Sequence, residues 1–396
     1  MISYLDGRTA AEKDQPFFAY LPFSAPHWPL QAPKSSVDKY KGVYEQGPAA
    51  LRLQRLQNLK EIGLVALDTV PHDVVVAPGE QAEWDDLSQD EKAKSARSME
   101  VYAGMVDRMD ENIGRVVNHL KSTGEYDNTM ILFMSDNGAE GASYEAAPIR
   151  GDEIMKHIEQ YYNNSLENIG RKDSFVWYGS RWAQAATAPS RLFKMYSTEG
   201  GCRVPLICKP PVAATDKAAA NSFSKHISEA FCSVLDIVPT ILDLSGTEHP
   251  ATWKGREVSQ LTGRSWRSLL QSLESLPDDP NPAGYECNGS GGLRKGKYKI
   301  TYVPAPRGPE RWEMFDIVAD AGETKDLSQE LPEVFVDMLK EWDAYASRVG
   351  VVGLAGDLKK RGGYKPPVDE FEDVGKWTRW IGKKDVPEAL RPYVPA

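Results

Sequence analysis

Asp136 and Asn137 stand side by side at the end of an apolar run, Thr-Met-Ile-Leu-Phe-Met-Ser from 129 to 135, and a Gly-rich turn, Gly138-Ala139-Glu140-Gly141, follows them. A carboxylate and an amide carbonyl are hard oxygen donors, suited to Ca²⁺ or Mg²⁺ rather than to Zn²⁺. Asp, Asn and Gly are equally ordinary turn residues, so a metal site and a bare turn with an Asx bond both fit this local pattern. His27 lies in Ala25-Pro26-His27-Trp28-Pro29, and Lys194 precedes a second Gly-rich turn, Thr198-Glu199-Gly200-Gly201-Cys202-Arg203-Val204-Pro205. Taken singly, these are a structural imidazole, a solvated cation and a tight turn. Together, a metal-binding pair, a cation and an imidazole suit a substrate that carries a compact oxyanion, such as a sulfate or phosphate ester.

The elements that must position these groups are legible from periodicity. The run 130–134 reads as a strand buried on both faces, as in a parallel sheet with helices on either side. Ligands of open α/β sheets bind just beyond the carboxyl ends of strands, where Asp136 and Asn137 fall. The apolar run 17–21, Phe-Phe-Ala-Tyr-Leu, predicts a second buried strand, stopped at Pro22 or Pro26. The proline spacing of 26–29 forbids a helix, which puts His27 on a rigid loop just past a strand end. Between them, Ser88-Gln89-Asp90-Glu91 is a capping box. Behind it, Met99, Tyr102, Val106, Met109, Ile113, Val117 and Leu120 recur every three or four residues, an amphipathic helix ending at Gly124. A further helix is predicted over 49–63 and another over 154–168. The stretch 173–190 reads as an aromatic loop whose Trp177, Tyr178 and Trp182 could line a substrate mouth or belong to the core. A short strand over 204–208 stops at Pro210-Pro211, and 231–244 is helical with Pro239 inside it. After a Pro- and Asp-rich linker over 275–284, strands over 292–303 and 311–318 and a helix over 331–348 form a small α+β unit. Helix followed by strand over 89–134 fits a doubly wound α/β layer.

The chain has 396 residues, 41% hydrophobic and 26% charged, an ordinary globular composition. Its net charge of −10 and the lack of a basic stripe with interleaved aromatics argue against nucleic-acid binding. That charge is compatible with a divalent cation, and a small anionic substrate would need a local positive site. No apolar run is long enough to span a membrane. No signal peptide is visible at 1–14. Cys202, Cys208, Cys232 and Cys287 follow neither a disulfide nor a zinc spacing and read as buried or free thiols of a reducing compartment, which favours the cytoplasm. The sequons at Asn163 and Asn288 are short enough to arise by chance.

On these residues the chain resembles the type I sulfatases, especially the arylsulfatases of bacteria and fungi, within the alkaline phosphatase superfamily. The segments 16–33, 84–141, 181–211 and 312–327 carry the likeness. Ala25-Pro26-His27-Trp28-Pro29, Ser135-Asp136-Asn137-Gly138-Ala139-Glu140-Gly141 and Glu199-Gly200-Gly201-Cys202-Arg203-Val204-Pro205 are family-specific when found in this order. The resemblance implies an α/β, alkaline-phosphatase-like mixed or parallel sheet flanked by helices, N-terminally truncated, with a small C-terminal α+β subdomain. It divides the chain into an incomplete catalytic domain over 1–274, the subdomain over 284–352 and an extended tail over 353–396. It implies a sulfuric ester hydrolase acting on a small sulfate ester. Asp136 and Asn137 would bind Ca²⁺, with Mg²⁺ as the alternative, and His27 and Lys194 would contact the sulfate. His27 would protonate the leaving oxygen, and Asp136 would help deprotonate the nucleophile.

The resemblance also exposes what is missing. Ca²⁺ takes roughly six to eight oxygen ligands. Sulfatases add an Asp-Asp pair after their first strand and a formylglycine made from Cys in a Cys-x-Pro-x-Arg motif. None of the four cysteines is followed by x-Pro-x-Arg. The Asp-Asp pairs, Asp85-Asp86 and Asp278-Asp279, sit before a helix cap and in a linker. Met1 is then an internal methionine of a longer protein, the product of a truncated gene model, or the start of a shortened, inactive paralogue. The expectations that follow are poor solubility or weak Ca²⁺ binding for the isolated chain, unpaired edges at 17–21 and 129–134, and no sulfatase turnover. Two alternatives stay open: a phosphoester or phosphonate hydrolase of the same superfamily, and a non-catalytic pseudoenzyme or metal-binding remnant.

Overall fold

A computed structural model describes residues 1–77, 79–80, 82–142, 151–212, 215, 226–273, 276, 281–287 and 289–351, with only the backbone of 151–153. In chain order it contains α1 (Ile2–Asp6), α2 (Ala10–Lys13), α3 (Lys34–Val37), α4 (Gly47–Glu61), α5 (Gln89–Ser122), β1 (Ile131–Met134), α6 (Gly151–Tyr161), α7 (Ser180–Thr187) and α8 (Glu199–Cys202). There follow β2 (Leu206–Lys209), α9 (Ile237–Ser245), β3 (Thr252–Trp253), β4 (Arg256–Glu257), α10 (Arg267–Ser272), β5 (Ala283–Cys287), β6 (Ser290–Lys295), β7 (Tyr298–Tyr302), β8 (Trp312–Asp316) and α11 (Pro332–Val349). The chain divides into two compact units. One comprises Met1–Ala19, Asn112–Met134 and Pro205–Asp279, and the other Tyr20–Glu111, Ser135–Val204 and Pro280–Ala396.

Helix α5 begins where the capping box predicts. The Ser88 amide donates to the Glu91 carboxylate at 2.8 Å, and the Glu91 amide donates to Ser88 Oγ at 3.3 Å. The helix ends ahead of Gly124, whose φ of +76° suits a residue without Cβ.

In the first unit β1 pairs antiparallel with β2, Ile131 opposite Lys209 and Met134 opposite Leu206. Among the described residues β2 is its one neighbour, and all four β1 residues are half-buried, so the parallel, doubly covered strand expected for 130–134 is corrected. The helix expected over 231–244 starts later, as α9 at Ile237 behind a 3₁₀ turn over Val234–Asp236, with Pro239 in its first turn, where a missing amide costs nothing. Residues 17–21 form no strand. Phe18 and Tyr20 are exposed, and no strand edge among the described residues engages them.

In the second unit the main core gathers Leu30, Val37, Met99, Val101, Met105, Trp182, Leu192 and Phe193. The stretch 173–190 is not loop throughout: Ser180–Thr187 forms α7, because its alanines favour helix and its Trp182 and Ala183 are buried. Trp182 Nε1 donates to Ser95 Oγ at 2.9 Å, which satisfies the indole deep in the core.

Strands β5, β6, β7 and β8 form an antiparallel sheet in sequence order. Strict alternation gives it two faces. Leu293, Ile300, Tyr302, Trp312 and Met314 pack on Met338, Leu339, Trp342 and Ala346 of α11. The opposite face carries Ser290, Gly292, Lys299 and Glu313 and meets the loop before α8. The Ser197 amide donates to Ser290 Oγ at 2.9 Å, and Arg191 pairs with Glu313 at 2.7 Å. A sheet covered by a helix is thus present, but the run 292–303, expected as one strand, is the hairpin of β6 and β7 turning at Gly296-Lys297, and β5 is a further strand. The predicted tail over 353–396, Asp278-Asp279 and the Asn288 sequon lie outside the described residues.

Candidate functional site

The site is assembled in the second unit from three loops. The loop bearing Lys194 is tightly buttoned. The Gly200 amide and Thr198 Oγ1 both donate to the Arg191 carbonyl, at 3.0 and 2.7 Å, and Thr187 Oγ1 donates to the Leu192 carbonyl at 2.8 Å. Leu192 and Met195, on either side of Lys194, hold φ of +57° and +82°. Side chains seldom adopt that region, and such strain gathers where a loop must present a group in a fixed direction.

The Asp136-Asn137 turn lies directly against α8. The Gly138 amide donates to the Gly201 carbonyl at 3.0 Å, and a Cβ on Gly138 would stand 1.9 Å from the Gly200 carbonyl oxygen. Only glycine permits this approach. The Lys194 amide donates to the Ala139 carbonyl at 3.0 Å, so the lysine loop and the acidic turn are joined backbone to backbone.

His27 is exposed and Lys194 partly buried, and the two meet: Lys194 Nζ lies 3.2 Å from His27 Nε2. His27 Nδ1 is 2.8 Å from the Trp28 carbonyl. A carbonyl only accepts, so Nδ1 carries a hydrogen and Nε2 is the nitrogen that gains or loses the second proton. Glu140 completes the group, its Oε2 lying 2.7 Å from Lys194 Nζ and 3.2 Å from His27 Nε2. Glu140 was missed by sequence reasoning, although it belongs to the quoted Ser135–Gly141 run. The available signal was charge balance, since a lysine and an imidazole held together need a counter-charge when no anion is bound.

The cation-binding pair is placed less closely. Asp136 is exposed and Asn137 half-buried, and their side chains make no direct hydrogen bond to His27 or Lys194 among the described residues. Asn137 Nδ2 donates to the Gly138 carbonyl at 3.0 Å, leaving its Oδ1 as a possible oxygen donor. Among the described residues no three His, Cys, Asp or Glu side chains group closely enough to hold a metal. The donors are the right kind for Ca²⁺ or Mg²⁺ but far short of the roughly six to eight that Ca²⁺ takes, so the residues present do not make a complete site. Tyr178 and Trp182 are core residues, which removes them from any substrate mouth. The four cysteines are free, and burial pushes the Cys202 thiol up to about 12, which makes it inert as a nucleophile. No helix is long and apolar enough to cross a membrane among the described residues.

An uncharacterized sulfatase of Schizosaccharomyces pombe is 45% identical over 352 residues, covering 88% of this chain and 60% of its own length. An arylsulfatase of Klebsiella aerogenes is 36% identical over 266 residues, covering 66% of this chain and 53% of its own. The chain therefore spans between half and three-fifths of the length of these relatives. Among solved structures, yidJ of Bacteroides fragilis superposes with a TM-score of 0.51 at 16% identity, over 89% of this chain and 57% of that one. That likeness carries the fold alone, an α/β fold of the alkaline-phosphatase-like kind. Residues 1–247 match the family model for sulfatases, and the protein belongs to that family.

Proposed function

We propose that this chain carries the leaving-group side of an arylsulfatase-type sulfuric ester hydrolase, which converts a small sulfate ester and water to an alcohol or phenol and sulfate. The observation that supports this most is the meeting of His27, Lys194 and Glu140 within 3.2 Å on loops braced by α8. In this reading Lys194 contacts the sulfate and neutralises charge as the S–O bond breaks. His27, protonated at Nε2, gives that proton to the departing oxygen. Glu140 holds both groups in register while no anion is bound. Asp136 and Asn137 would supply two oxygen donors to a hard divalent cation, Ca²⁺ or Mg²⁺, whose charge would add to that of Lys194 near the sulfate. Two donors of the roughly six to eight that Ca²⁺ takes would bind it weakly. The 396 residues contain no Cys-x-Pro-x-Arg from which a formylglycine could be made. By itself the chain therefore binds the anion without turning over the ester.

The test is calorimetric titration of the purified chain with inorganic sulfate, alongside incubation with an aryl sulfate. The expected result is measurable sulfate binding that His27→Ala and Lys194→Ala each weaken about tenfold, in line with losing one charge-assisted contact, and no release of phenol. Sulfate binding indifferent to both substitutions would overturn the assignment of the site. Robust hydrolysis would overturn the incapacity for turnover.

A further inference from the structure

Behind the site lies a buried ionic cluster that the proposed chemistry does not use. Lys299 of β7 is fully buried, its Nζ 2.7 Å from Glu199 Oε1 and 3.5 Å from Glu323 Oε1. Glu323 Oε2 accepts the Glu199 backbone amide at 2.8 Å. Glu199 is the first residue of α8, so the cluster grips both the side chain and the backbone of the helix on which the Asp136-Asn137-Gly138 turn rests. Glu323 also holds φ at +52°, a strained choice for a side-chain-bearing residue, which sets its carboxylate beneath α8. Its Oε1 has no hydrogen-bond partner among the described residues.

Two buried carboxylates share one buried ammonium. The nearer one, Glu199, is pushed up by burial, but the Lys299 ammonium overcomes this and holds it below its ordinary range. Glu323 has the longer contact. Burial pushes its carboxyl up, Lys299 opposes, the Glu199 charge adds to the rise, and it reaches about 7. The charged groups facing Glu323 are Lys299 from β7, Glu199 from α8 and Arg191 from the preceding loop. Arg203, Arg294, Cys202 and Tyr285 complete the shell around Glu199 and Lys299. None of these changes charge between pH 5 and 8: burial pushes the Cys202 thiol up to about 12, Tyr285 is likewise raised by burial, and Lys299 is held protonated.

We propose that Glu323, through Lys299 and Glu199, is a positioning residue whose protonation controls how firmly α8 and the Asp136-Asn137-Gly138 turn are held. With Glu323 neutral the cluster is balanced. With Glu323 ionised two negative charges stand against the one Lys299 ammonium in a closed space, and α8 loosens from the sheet. The sign follows from linkage. A carboxyl whose pKa is higher in the closed state than in the open one favours closure most below pH 4.5, and that preference is lost as pH rises through about 7. Within this window the opening constant rises about tenfold per pH unit, the slope of a single proton.

This rests on the proposed reading only for the use made of the site, since its readout needs neither metal nor turnover. Hydrogen exchange of the full chain, followed by mass spectrometry from pH 5 to 8 and corrected for intrinsic exchange, measures protection in peptides covering 135–142 and 198–203. Protection in both should fall at least tenfold between pH 5 and 7 and level off above pH 7, while peptides from 332–349 stay flat. Glu323→Gln, neutral at every pH, should remove the slope. A flat wild-type profile in the two segments, or an unchanged slope in E323Q, would overturn the proposal. The wild-type profile decides alone should the variant fail to fold. Loss of sulfate binding with this slope intact would instead count against the catalytic reading.

Discussion

Gly138→Ala is the sharpest perturbation the site offers, because a single methyl group tests the contact that seats the acidic turn on α8. The added Cβ would stand 1.9 Å from the Gly200 carbonyl oxygen, 2.9 Å from its carbonyl carbon and 2.9 Å from the Gly201 Cα. Carbon and oxygen in ordinary contact sit near 3.3 Å, so the turns must part by more than about 1 Å. All three obstacles are backbone, and no side chain can swing away. Overpacking of this kind costs about 1–3 kcal/mol, and the upper end applies where nothing flexible yields. Parting the turns also breaks the Gly138–Gly201 hydrogen bond of 3.0 Å, worth about 1 kcal/mol. The sum is about 3–4 kcal/mol. Gly114 supplies the control. It lies within α5, and a Cβ there would meet nothing within 4 Å. Gly114→Ala should stabilise the chain by about 0.5–1 kcal/mol through helix propensity alone. Urea unfolding of both variants beside wild type measures the difference, with the slope m compared to exclude a changed denatured state. G138A should move the midpoint down and abolish sulfate binding, whereas G114A should move it slightly up. A G138A protein within about 1 kcal/mol of wild type would refute the close seating of the turn on α8.

Two other substitutions probe separate parts of the structure. Glu140→Gln removes the carboxylate that occupies Lys194 and His27, and should tighten inorganic sulfate binding about three- to tenfold by the loss of a competing, partly exposed charge; calorimetry showing weaker binding would mean that Glu140 chiefly holds the two groups in place. Trp342→Ala empties a fully buried position against Trp312, whose ring centroid is 5.0 Å away, and should cost about 3–5 kcal/mol; a midpoint shift under about 1 kcal/mol would show that α11 contributes little to the sheet.

What the sequence disclosed about this site, and what it withheld, follows from how local each feature is. The start of α5 was legible because its capping box and apolar repeat are contained in the helix itself. The meeting of His27 with Lys194 was legible because the Pro-His-Trp-Pro and Glu-Gly-Gly segments carry a family pattern. Strand pairing is not local. The run 130–134 has the composition of a doubly covered strand, yet its burial depends on what lies beside it, and among the described residues that is one antiparallel neighbour. Helix α7 is a different case: its alanines set the backbone locally, inside a stretch whose aromatic residues read as loop. The non-local limit also hid the cluster under α8. Lys299 alternates with Ile300 along β7, and period two alone marks its face as the polar, solvent-facing one. The loop ending in Glu199 covers that face, and once it is covered the lysine must find carboxylates there or be lost to burial. Glu199 therefore serves two masters, forming the turn that seats Asp136 and Asn137 and neutralising the lysine beneath it. That double duty ties the acidic turn to the C-terminal sheet, and it gives the Glu-Gly-Gly segment a physical reason for a glutamate that its position in a tight turn does not supply.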